Sequence, residues 1–328
     1  MANLDNALGN IIITHPTFME AIDRYTQAIS SIGRLHNTSV GFALTGDSGT
    51  GKTTLAKYLL SLYPGKRDEE GLIRPVVYCS VPPKPTLKGL ASALFSALND
   101  PFDSLPNKRG RDAEHVLTER SIKLIIECQV KAIIFDESQH LARNPESDGT
   151  YAATDWLKTL MERTQVVIIL LGLNSTSLLF EQNEQLERRF KSTIKLSRFN
   201  WMQEETRSQF LGILEAFQAN LPQFDFIELT AEETSFRFYM ATGGLIAYLA
   251  QILEQAMLDA IQDNRKTIKL KHFEVAFDKT MHVSDFNIAV NPFSATFKAI
   301  PTSTTVAKAN LVGAHIPAPR QRKKGATL

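Results

Sequence analysis

The clearest chemical signature in this sequence is a loop of the type that binds phosphate. Residues 46–53 read GDSGTGKT and match the pattern G-x-x-x-x-G-K-[ST] in full. Glycines in such a loop let backbone N–H groups turn toward a triphosphate, and the N-terminus of the next helix adds favourable partial charge. Lys52 is expected to reach the β- and γ-phosphates, and the hydroxyl of Thr53 to bind Mg²⁺. The predicted nucleotide-binding residues are Gly46, Asp47, Ser48, Gly49, Thr50, Gly51, Lys52, Thr53 and Thr54.

The sequence on either side of the loop has the strand and the helix that this loop requires. Residues 40–45 are an apolar run typical of a buried strand, and residues 54–62 carry leucines and a tyrosine at helical spacing. A glycine-rich turn without a ligand is the alternative, and these flanks favour phosphate binding over it. No N-K-x-D guanine motif is present, because residues 107–110 read NKRG, so adenine is the expected base.

Two neighbouring carboxylates supply the second part of the predicted site. Residues 132–135 read AIIF, an apolar strand, and Asp136 and Glu137 follow at its end. One such carboxylate can hold the water shell of Mg²⁺, and its neighbour can polarise an attacking water molecule. We assign the first role to Asp136 and the second, catalytic role to Glu137. Strands of parallel sheets often end in polar residues, but the position downstream of the phosphate loop strengthens this assignment.

A polar residue beyond a third strand is the predicted phosphate sensor. Residues 166–171 are the most hydrophobic run in the chain and predict a central strand, which GLNS follows at 172–175. Asn174 could hydrogen-bond both the γ-phosphate and the attacking water, with Ser175 as the second candidate. Either residue could instead cap the helix that runs to Phe180, because Asn and Ser favour that position. Both interpretations stay open at this point.

Arg188 and Arg189 are two further catalytic candidates, at the end of a short helical stretch. Paired arginines at a helix end usually form a solvated face that complements the helix dipole. They could instead project across a subunit interface into a neighbour's nucleotide site, where a guanidinium group stabilises charge on the transferring phosphoryl group. The sequence does not distinguish which of the two would act.

The length of 328 residues predicts about two domains. From residue 203 onward the periodicity is entirely helical, and Gly243-Gly244 interrupts it as a C-cap and a point of close packing. The predicted domains are an N-terminal segment and helix (1–37), an α/β nucleotide-binding core (38–200), an all-α lid (201–285) and a basic, disordered tail (286–328).

The distribution of charge and the two cysteines indicate the kind of partner and the cellular compartment to expect. The net charge is +1, yet no acidic residue follows Asp285, while the tail is rich in lysine and arginine. Cys79 and Cys128 lie in apolar stretches without metal-ligand spacing, which predicts buried free thiols in a reducing compartment. No leader pattern or long apolar segment is evident, so a soluble, cytoplasmic protein is expected.

The order of these motifs resembles that of the AAA+ ATPases. A phosphate-loop strand, a D-E strand, an Asn-bearing strand, an R-R-F segment and a helical lid follow one another. More narrowly, THP at 14–16, SVPPKPT at 80–86 and IFDE at 134–137 are similar to the TniB/TnsC family of transposition regulators, relatives of the Mu B protein. The resemblance covers about residues 12–282. It implies an α/β P-loop core with a five-stranded parallel sheet between helices, followed by an all-α lid over ATP. His15 and Pro16 could border the adenine or simply form a helix-entry turn.

The resemblance also implies a role for each motif. Walker A falls on the phosphate loop, Walker B on Asp136 and Glu137, sensor 1 on Asn174, and the arginine finger on Arg188 or Arg189. ATP-bound members oligomerise on duplex DNA as a hexameric or heptameric ring or a helical filament. They link a target-selector protein to the transposase and are released by hydrolysis. No sensor-2 arginine follows Gly243-Gly244, so slow turnover is expected.

In the family, the DNA contacts come from a loop and helix after the second strand, which enter the lumen of the oligomer. The corresponding candidates are Lys84, Thr86, Lys88, Lys108, Arg109 and Arg111. Lysines repeated around a ring give sequence-independent, salt-sensitive binding, whereas an isolated loop lysine is usually only solvated. For the basic tail, docking of a transposase is favoured over DNA affinity or an inert extension.

Two other functional classes compete with this interpretation. Another AAA+ nucleic-acid remodeller, such as a helicase loader or an initiator-like ATPase, would carry the same motifs. A small-molecule kinase built on the same loop is disfavoured, because it needs neither an all-α lid nor paired arginines.

Overall fold

The chain folds into two compact units, residues 1–198 and residues 199–328. The computed structural model describes residues 12–32, 40–69, 71–99, 114–142, 148–181, 183–281 and 290–313. The first unit carries the predicted nucleotide motifs, and the second carries the predicted helices beyond residue 203.

Strands and helices alternate along the first unit. Its strands are β1 (Gly41–Thr45), β2 (Lys66–Asp68), β3 (Gly71–Ile73), β4 (Val76–Ser80), β5 (Ala132–Asp136), β6 (Val167–Gly172) and β7 (Phe190–Lys195). Its helices are α1 (Pro16–Ser31), α2 (Lys52–Leu62), α3 (Leu87–Ala97), α4 (Glu114–Glu127), α5 (Gln139–Ala142), α6 (Asp148–Thr164), α7 (Leu178–Glu181) and α8 (Glu184–Arg189). A 3-10 helix spans Asn174–Ser177 between β6 and α7.

Five strands form one parallel sheet in the order β4-β5-β6-β1-β7. The predicted α/β fold with a five-stranded parallel sheet is therefore confirmed. Because the strands are parallel, the segments that follow β1, β5, β6 and β7 all leave from the same edge of the sheet. Strands β2 and β3 form a separate antiparallel hairpin that the sequence pattern did not predict, since each has three residues and shows no periodicity.

Apolar residues cover both faces of this sheet. Strands β1, β5 and β6 are buried along their whole length, as expected for parallel strands with helices on both sides. One core cluster joins α1 and α2 to the sheet and contains Tyr25 and Leu55. A second cluster joins α3, α4 and α6 to the opposite face and contains Leu90 and Trp156. The rigid sheet therefore fixes the positions of the loops at its edge.

The cysteine prediction is confirmed for the thiols themselves. Cys79 and Cys128 are both buried, and neither forms a disulfide. Burial raises the pKa of the Cys79 thiol to about 12, because the thiolate would lose its hydration. A thiol of this kind remains protonated and is a poor nucleophile.

The second unit is mainly helical. It contains α9 (Glu204–Asn220), α10 (Glu232–Thr242), α11 (Ile246–Gln262), α12 (Leu270–Thr280) and α13 (Ser303–Ala309), together with a two-residue parallel pair of strands, β8 (Asp225–Phe226) and β9 (Thr267–Ile268). Gly243 ends α10 with a φ of 57°, and a Cβ on Gly244 would lie 2.2 Å from the carbonyl oxygen of Phe199. Both glycines are thus required by backbone geometry.

The expectation of a disordered tail is wrong for residues 290–313. This segment is part of the helical unit: Phe293, Val306 and Val312 are buried, and α13 packs near α10. Arg237 of α10 secures it, because its guanidinium group donates hydrogen bonds to the carbonyl oxygens of Pro292 (2.6 Å), Ser294 (2.9 Å) and Phe297 (3.2 Å). The segment lacks periodicity but carries enough apolar side chains to be held in place. The basic residues at 320–324 lie outside the described residues.

Within the described residues, no single helix is long and apolar enough to span a membrane. Helices α10 and α11 pass the length and composition test as a pair, but they are bent by 112° at their junction. Their apolar residues are accounted for by the core of the helical unit, where Phe236, Phe238, Leu249 and Ile252 are almost fully buried.

Candidate nucleotide-binding site

The phosphate loop connects β1 to α2 and depends on its glycines. Gly49 and Gly51 have φ values of 82° and 98°, and Gly51 is the N-cap of α2. Gly46 is needed for a different reason: a Cβ there would lie 2.1 Å from the carbonyl oxygen of Leu196. These requirements explain why glycine stands at each of these positions, since other residues would be strained or would clash.

Lys52 extends into the loop from the first turn of α2. Its ammonium group donates hydrogen bonds to the carbonyl oxygens of Gly46 (2.9 Å) and Asp47 (2.7 Å). Burial lowers the pKa of Lys52, and the carboxylates of Asp136, Glu137 and Asp47 act in the opposite direction. The loop therefore holds its cation in a partly desolvated position, where the attraction between the ammonium group and a phosphate is screened less than in water.

Asp136 lies at the end of β5 and joins the carboxylate motif to the phosphate loop. Its Oδ2 accepts hydrogen bonds from the hydroxyl groups of Thr53 (2.9 Å) and Tyr78 (2.8 Å), and its Oδ1 accepts one from the backbone N–H of Glu137 (2.8 Å). The side chain is almost fully buried. The predicted pairing of Thr53 with Asp136 thus has the geometry that a shared cation would require.

This donor set fits Mg²⁺. The Thr53 hydroxyl and the Asp136 carboxylate offer neighbouring oxygens, and Mg²⁺ in nucleotide sites is usually held by one or two protein oxygens, with water and phosphate completing the shell. In the part of the chain that the structure describes, no group of three His, Cys, Asp or Glu side chains is placed to hold a metal. A metal bound here would therefore depend on the nucleotide for its remaining ligands.

Glu137 follows Asp136 in an unusual backbone conformation. Its φ is 60°, in the left-handed region that residues other than glycine seldom adopt. Its carboxylate accepts a hydrogen bond from the side-chain amide of Gln139, whose Oε1 in turn accepts one from the backbone N–H of Leu173 at 3.1 Å. Gln139 therefore ties the predicted catalytic carboxylate to the segment that follows β6.

Asn174 is the first residue of the 3-10 helix after β6. Its Nδ2 donates a hydrogen bond to Oδ1 of Asp47 at 3.1 Å, so the predicted sensor does lie beside the phosphate loop. The capping alternative is not realised, because Leu173 occupies the N-cap position of the 3-10 helix and makes no side-chain capping bond there. Ser175, the second candidate, is exposed on the same turn.

The two arginine candidates have different surroundings. The Arg188 side chain is 76% exposed and pairs with Glu184 on its own helix, α8. The Arg189 side chain is 24% exposed and pairs with Glu162 of α6. These contacts lie within the α/β unit and away from the phosphate loop, so the structure does not bring either arginine to the nucleotide residues of the same chain.

The predicted DNA-binding residues that the structure describes lie at the start of α3. Lys84 and Lys88 are exposed, and Thr86 is the N-cap of α3, where its hydroxyl oxygen accepts a hydrogen bond from the N–H of Gly89 at 3.1 Å. Thr86 therefore has a structural role in this chain. The other three candidates, Lys108, Arg109 and Arg111, lie outside the described residues.

Three side chains at the site were not predicted from the sequence: Tyr78, Gln139 and Arg198. Arg198 forms an ion pair with Asp47, with its Nε 2.9 Å from Oδ2. The only sequence signal for Tyr78 and Arg198 is their position: Tyr78 lies within β4, and Arg198 lies three residues beyond the end of β7. Neither residue belongs to a recognisable motif, so only the fold brings them to the nucleotide residues.

Similar proteins were found by family and by structure, while no curated protein matches the chain. The sequence model of the family described as "Bacterial TniB protein" matches residues 9–201. The Aeropyrum pernix ORC2 protein (ADPNP–ADP complexes) has 15% identity and a TM-score of 0.59, over 84% of this chain and 72% of that chain. The Aeropyrum pernix ORC1 protein in complex with DNA has 16% identity and a TM-score of 0.58, over 83% of this chain and 68% of that chain. Cdc6p from Pyrobaculum aerophilum has 15% identity and a TM-score of 0.57, over 84% of this chain and 71% of that chain.

At these identities the structural likeness shows the fold alone, which is that of the AAA+ ATPases. The family match is more specific, because it spans more than half of the 328 residues and includes the phosphate loop, the Asp136–Glu137 pair and Asn174. The chain therefore belongs to the family of bacterial TniB proteins.

Proposed function

We propose that this protein is an ATP-dependent regulator of transposition that oligomerises on duplex DNA, links target selection to transposase recruitment, and is released by ATP hydrolysis. The observation that carries the proposal is the junction of Thr53 and Asp136, with Lys52 in the loop and Asn174 beside it. This arrangement supports binding and hydrolysis of ATP. Membership of the TniB family supports the role in transposition.

Each residue has a defined part in the proposed hydrolysis. Lys52 and the backbone of the loop bind the phosphates, and Thr53 and Asp136 would hold Mg²⁺, which would neutralise charge on the phosphate oxygens. Glu137 accepts a proton from the attacking water, and Asn174 orients that water against the γ-phosphate. Residues 243–248 read GGLIAY and contain no arginine where a sensor-2 arginine is expected, so hydrolysis by a single chain is expected to be slow.

The exposed arginine of α8 supports assembly as part of the mechanism. Arg188 projects from the α/β unit with most of its side chain in solvent, whereas Arg189 is tied to α6. We therefore assign the arginine finger to Arg188, acting on the nucleotide of a neighbouring subunit. Fingers of this kind accelerate phosphoryl transfer by roughly 10³- to 10⁵-fold. Hydrolysis of ATP in one subunit would then require contact with Arg188 of a neighbouring subunit.

Lys84 and Lys88 support the proposed contact with DNA. Both are exposed at the start of α3, and Thr86 between them fixes the helix start by capping it. One subunit would gain little from two phosphate contacts. A ring or filament repeats them along one polyanion, which multiplies the binding and makes it strongly salt-dependent.

The competing function is that of an initiator-like ATPase or a helicase loader. The structural likeness to an ORC1 protein in complex with DNA fits this alternative equally well. The two differ in their partners: a loader or initiator would prefer single-stranded DNA or a helicase, and a transposition regulator would prefer duplex DNA and a transposase.

The decisive experiment images the full-length protein by electron microscopy with duplex DNA and a non-hydrolysable ATP analogue. We expect rings or filaments on DNA, which are lost when the analogue is omitted. Lys52→Ala should abolish this DNA association, whereas Glu137→Gln should retain ATP and remain trapped on DNA. A protein that stays monomeric under all conditions would refute the proposal. If Glu137→Gln prevented assembly, the assignment of Glu137 as the base would be wrong.

A further inference from the structure

Asp47, the second residue of the phosphate loop, is held by two donors. Its Oδ1 accepts a hydrogen bond from the side-chain amide of Asn174 at 3.1 Å, and its Oδ2 accepts one from the guanidinium group of Arg198 at 2.9 Å. Amide and guanidinium groups are donors that proteins use to bind phosphate oxygens. A carboxylate of the loop therefore engages two side chains that are suited to a phosphate.

The main chain fixes Arg198 beside this loop. The N–H of Leu196 donates to the carbonyl oxygen of Thr45 at 2.7 Å, and the carbonyl oxygen of Leu196 lies only 2.1 Å from the position that a Cβ on Gly46 would take. The Arg198 side chain is only 15% exposed. Since a partly desolvated guanidinium group binds an anion more strongly than an exposed one, Arg198 is well suited to act on a ligand of the loop.

Asp47 and a bound triphosphate would compete for these donors. The ammonium group of Lys52 lies 2.7 Å from the carbonyl oxygen of Asp47, and the lysine of this motif contacts the β- and γ-phosphates. The terminal phosphates of a bound ATP would therefore lie near Asp47 and would repel its carboxylate. ADP lacks the γ-phosphate and competes less.

We propose that the Asp47 carboxylate is a stand-in for the γ-phosphate, and that ATP displaces it so that Arg198 binds the γ-phosphate. This inference rests on the proposed function, because it assumes that the loop binds ATP. It makes Arg198 a residue that selects ATP over ADP. It also supplies an arginine for the γ-phosphate in a chain that has none at residues 243–248, where a sensor-2 arginine is expected.

The test compares Asp47→Asn, Arg198→Gln and Arg198→Lys in the full-length protein. The dissociation constants of fluorescent ADP and of a fluorescent, non-hydrolysable ATP analogue are measured for each. Arg198→Gln should weaken ATP binding by about tenfold, the loss expected for one charge-assisted hydrogen bond, and should change ADP binding much less. The ATP affinity of Arg198→Lys should lie between those of the wild type and Arg198→Gln. Asp47→Asn should strengthen ATP binding. Arg265→Gln, which changes an arginine with 62% side-chain exposure, is the matched control.

The proposal predicts opposite changes in ATP affinity for Asp47→Asn and Arg198→Gln, and a purely structural ion pair does not. If the pair only stabilises the loop, Asp47→Asn and Arg198→Gln break the same contact and weaken ATP and ADP binding together, which would overturn the proposal. Melting temperatures measured without nucleotide show whether each variant is folded. If Arg198→Gln does not fold, Arg198→Lys replaces it in the comparison of ATP and ADP affinity. If the wild-type protein binds ATP but does not assemble on DNA, the proposed function fails, and the ratio of ATP to ADP affinity still decides the role of Arg198.

Discussion

Tyr78 donates a hydrogen bond of 2.8 Å to Oδ2 of Asp136, the same oxygen that Thr53 contacts. Burial raises the pKa of Tyr78, and the hydrogen bond and negative charge of Asp136 raise it further. The phenol therefore stays protonated and remains a donor at physiological pH. It orients the carboxylate that we assign to Mg²⁺, although it lies on a different strand, β4.

Tyr78→Phe is expected to weaken the use of Mg²⁺ without unfolding the protein. Loss of a hydrogen bond that orients a metal ligand typically costs about 10- to 100-fold in metal affinity or activity. The Mg²⁺ concentration that gives half-maximal ATP hydrolysis should therefore rise by about tenfold. Tyr151→Phe, at a residue that is 62% exposed, is the control. An unchanged Mg²⁺ titration for Tyr78→Phe would show that the phenol does not support this ligand.

Arg188→Ala should bind ATP normally but hydrolyse it at least 10³-fold more slowly in the assembled state, as for other arginine fingers. The most direct check mixes it with Glu137→Gln, which is expected to assemble but not to hydrolyse ATP. Neither variant is active alone, but a mixed assembly pairs an intact Glu137 with an intact Arg188 and should recover part of the activity. If mixing restored nothing while both variants still assembled, a role for Arg188 across the interface would be excluded.

Arg189→Ala should behave differently from Arg188→Ala. It removes the contact with Glu162 on α6, so its main effect should be a lower melting temperature of the α/β unit. Partly exposed ion pairs contribute roughly 0–1 kcal/mol, so the decrease should be small. A loss of hydrolysis as large as that of Arg188→Ala, with an unchanged melting temperature, would instead favour Arg189 as the finger.

His15 makes the stability of the protein sensitive to acid. Burial next to α1 lowers its pKa from 6.5 to about 4. Between these two values the unfolded chain binds a proton that the folded chain does not, so stability falls as the pH falls through this window. The upper limit for one such group is about 1.4 kcal/mol per pH unit. The melting temperature of His15→Gln should therefore depend less on pH between 6.5 and 4 than that of the wild type, which differential scanning fluorimetry over this pH range would measure.

Arg237→Met should release the segment 290–297 from the helical unit. The substitution keeps much of the apolar volume but removes the donor for three backbone carbonyl groups. Loss of one partner of a buried charged network costs about 3–5 kcal/mol. Faster hydrogen exchange at residues 290–297, measured by mass spectrometry against Arg265→Met, would confirm this. Unchanged exchange would mean that Phe293 and its neighbours hold the segment by apolar packing alone.

The parts of the fold that the sequence predicted are those with a local signal. The phosphate loop is a contiguous motif, and β1, β5 and β6 are apolar runs because helices cover both faces of the sheet. Two of the residues that were missed, Tyr78 and Arg198, contact partners that are distant in the sequence. Tyr78 and Asp136 are 58 positions apart, and Asp47 and Arg198 are 151 positions apart. Only the parallel arrangement of the strands brings such pairs together.

The error at residues 290–313 has a different physical origin. The segment has no acidic residues and no periodicity, which is typical of disorder. Its order comes from a few apolar anchors and from Arg237, a side chain whose three carbonyl acceptors all lie in that segment. Composition averages over a segment and does not detect anchors of this kind.

The backbone conformation of Glu137 sets the stability of the fold against the proposed hydrolysis. A φ of 60° suits glycine or asparagine better than glutamate, so the wild-type residue costs on the order of 1 kcal/mol in folding free energy. A single substitution to either residue would therefore leave the fold intact or more stable while it removes the carboxylate. If Glu137 is the base of the proposed hydrolysis, one substitution at this position would raise stability and abolish turnover together.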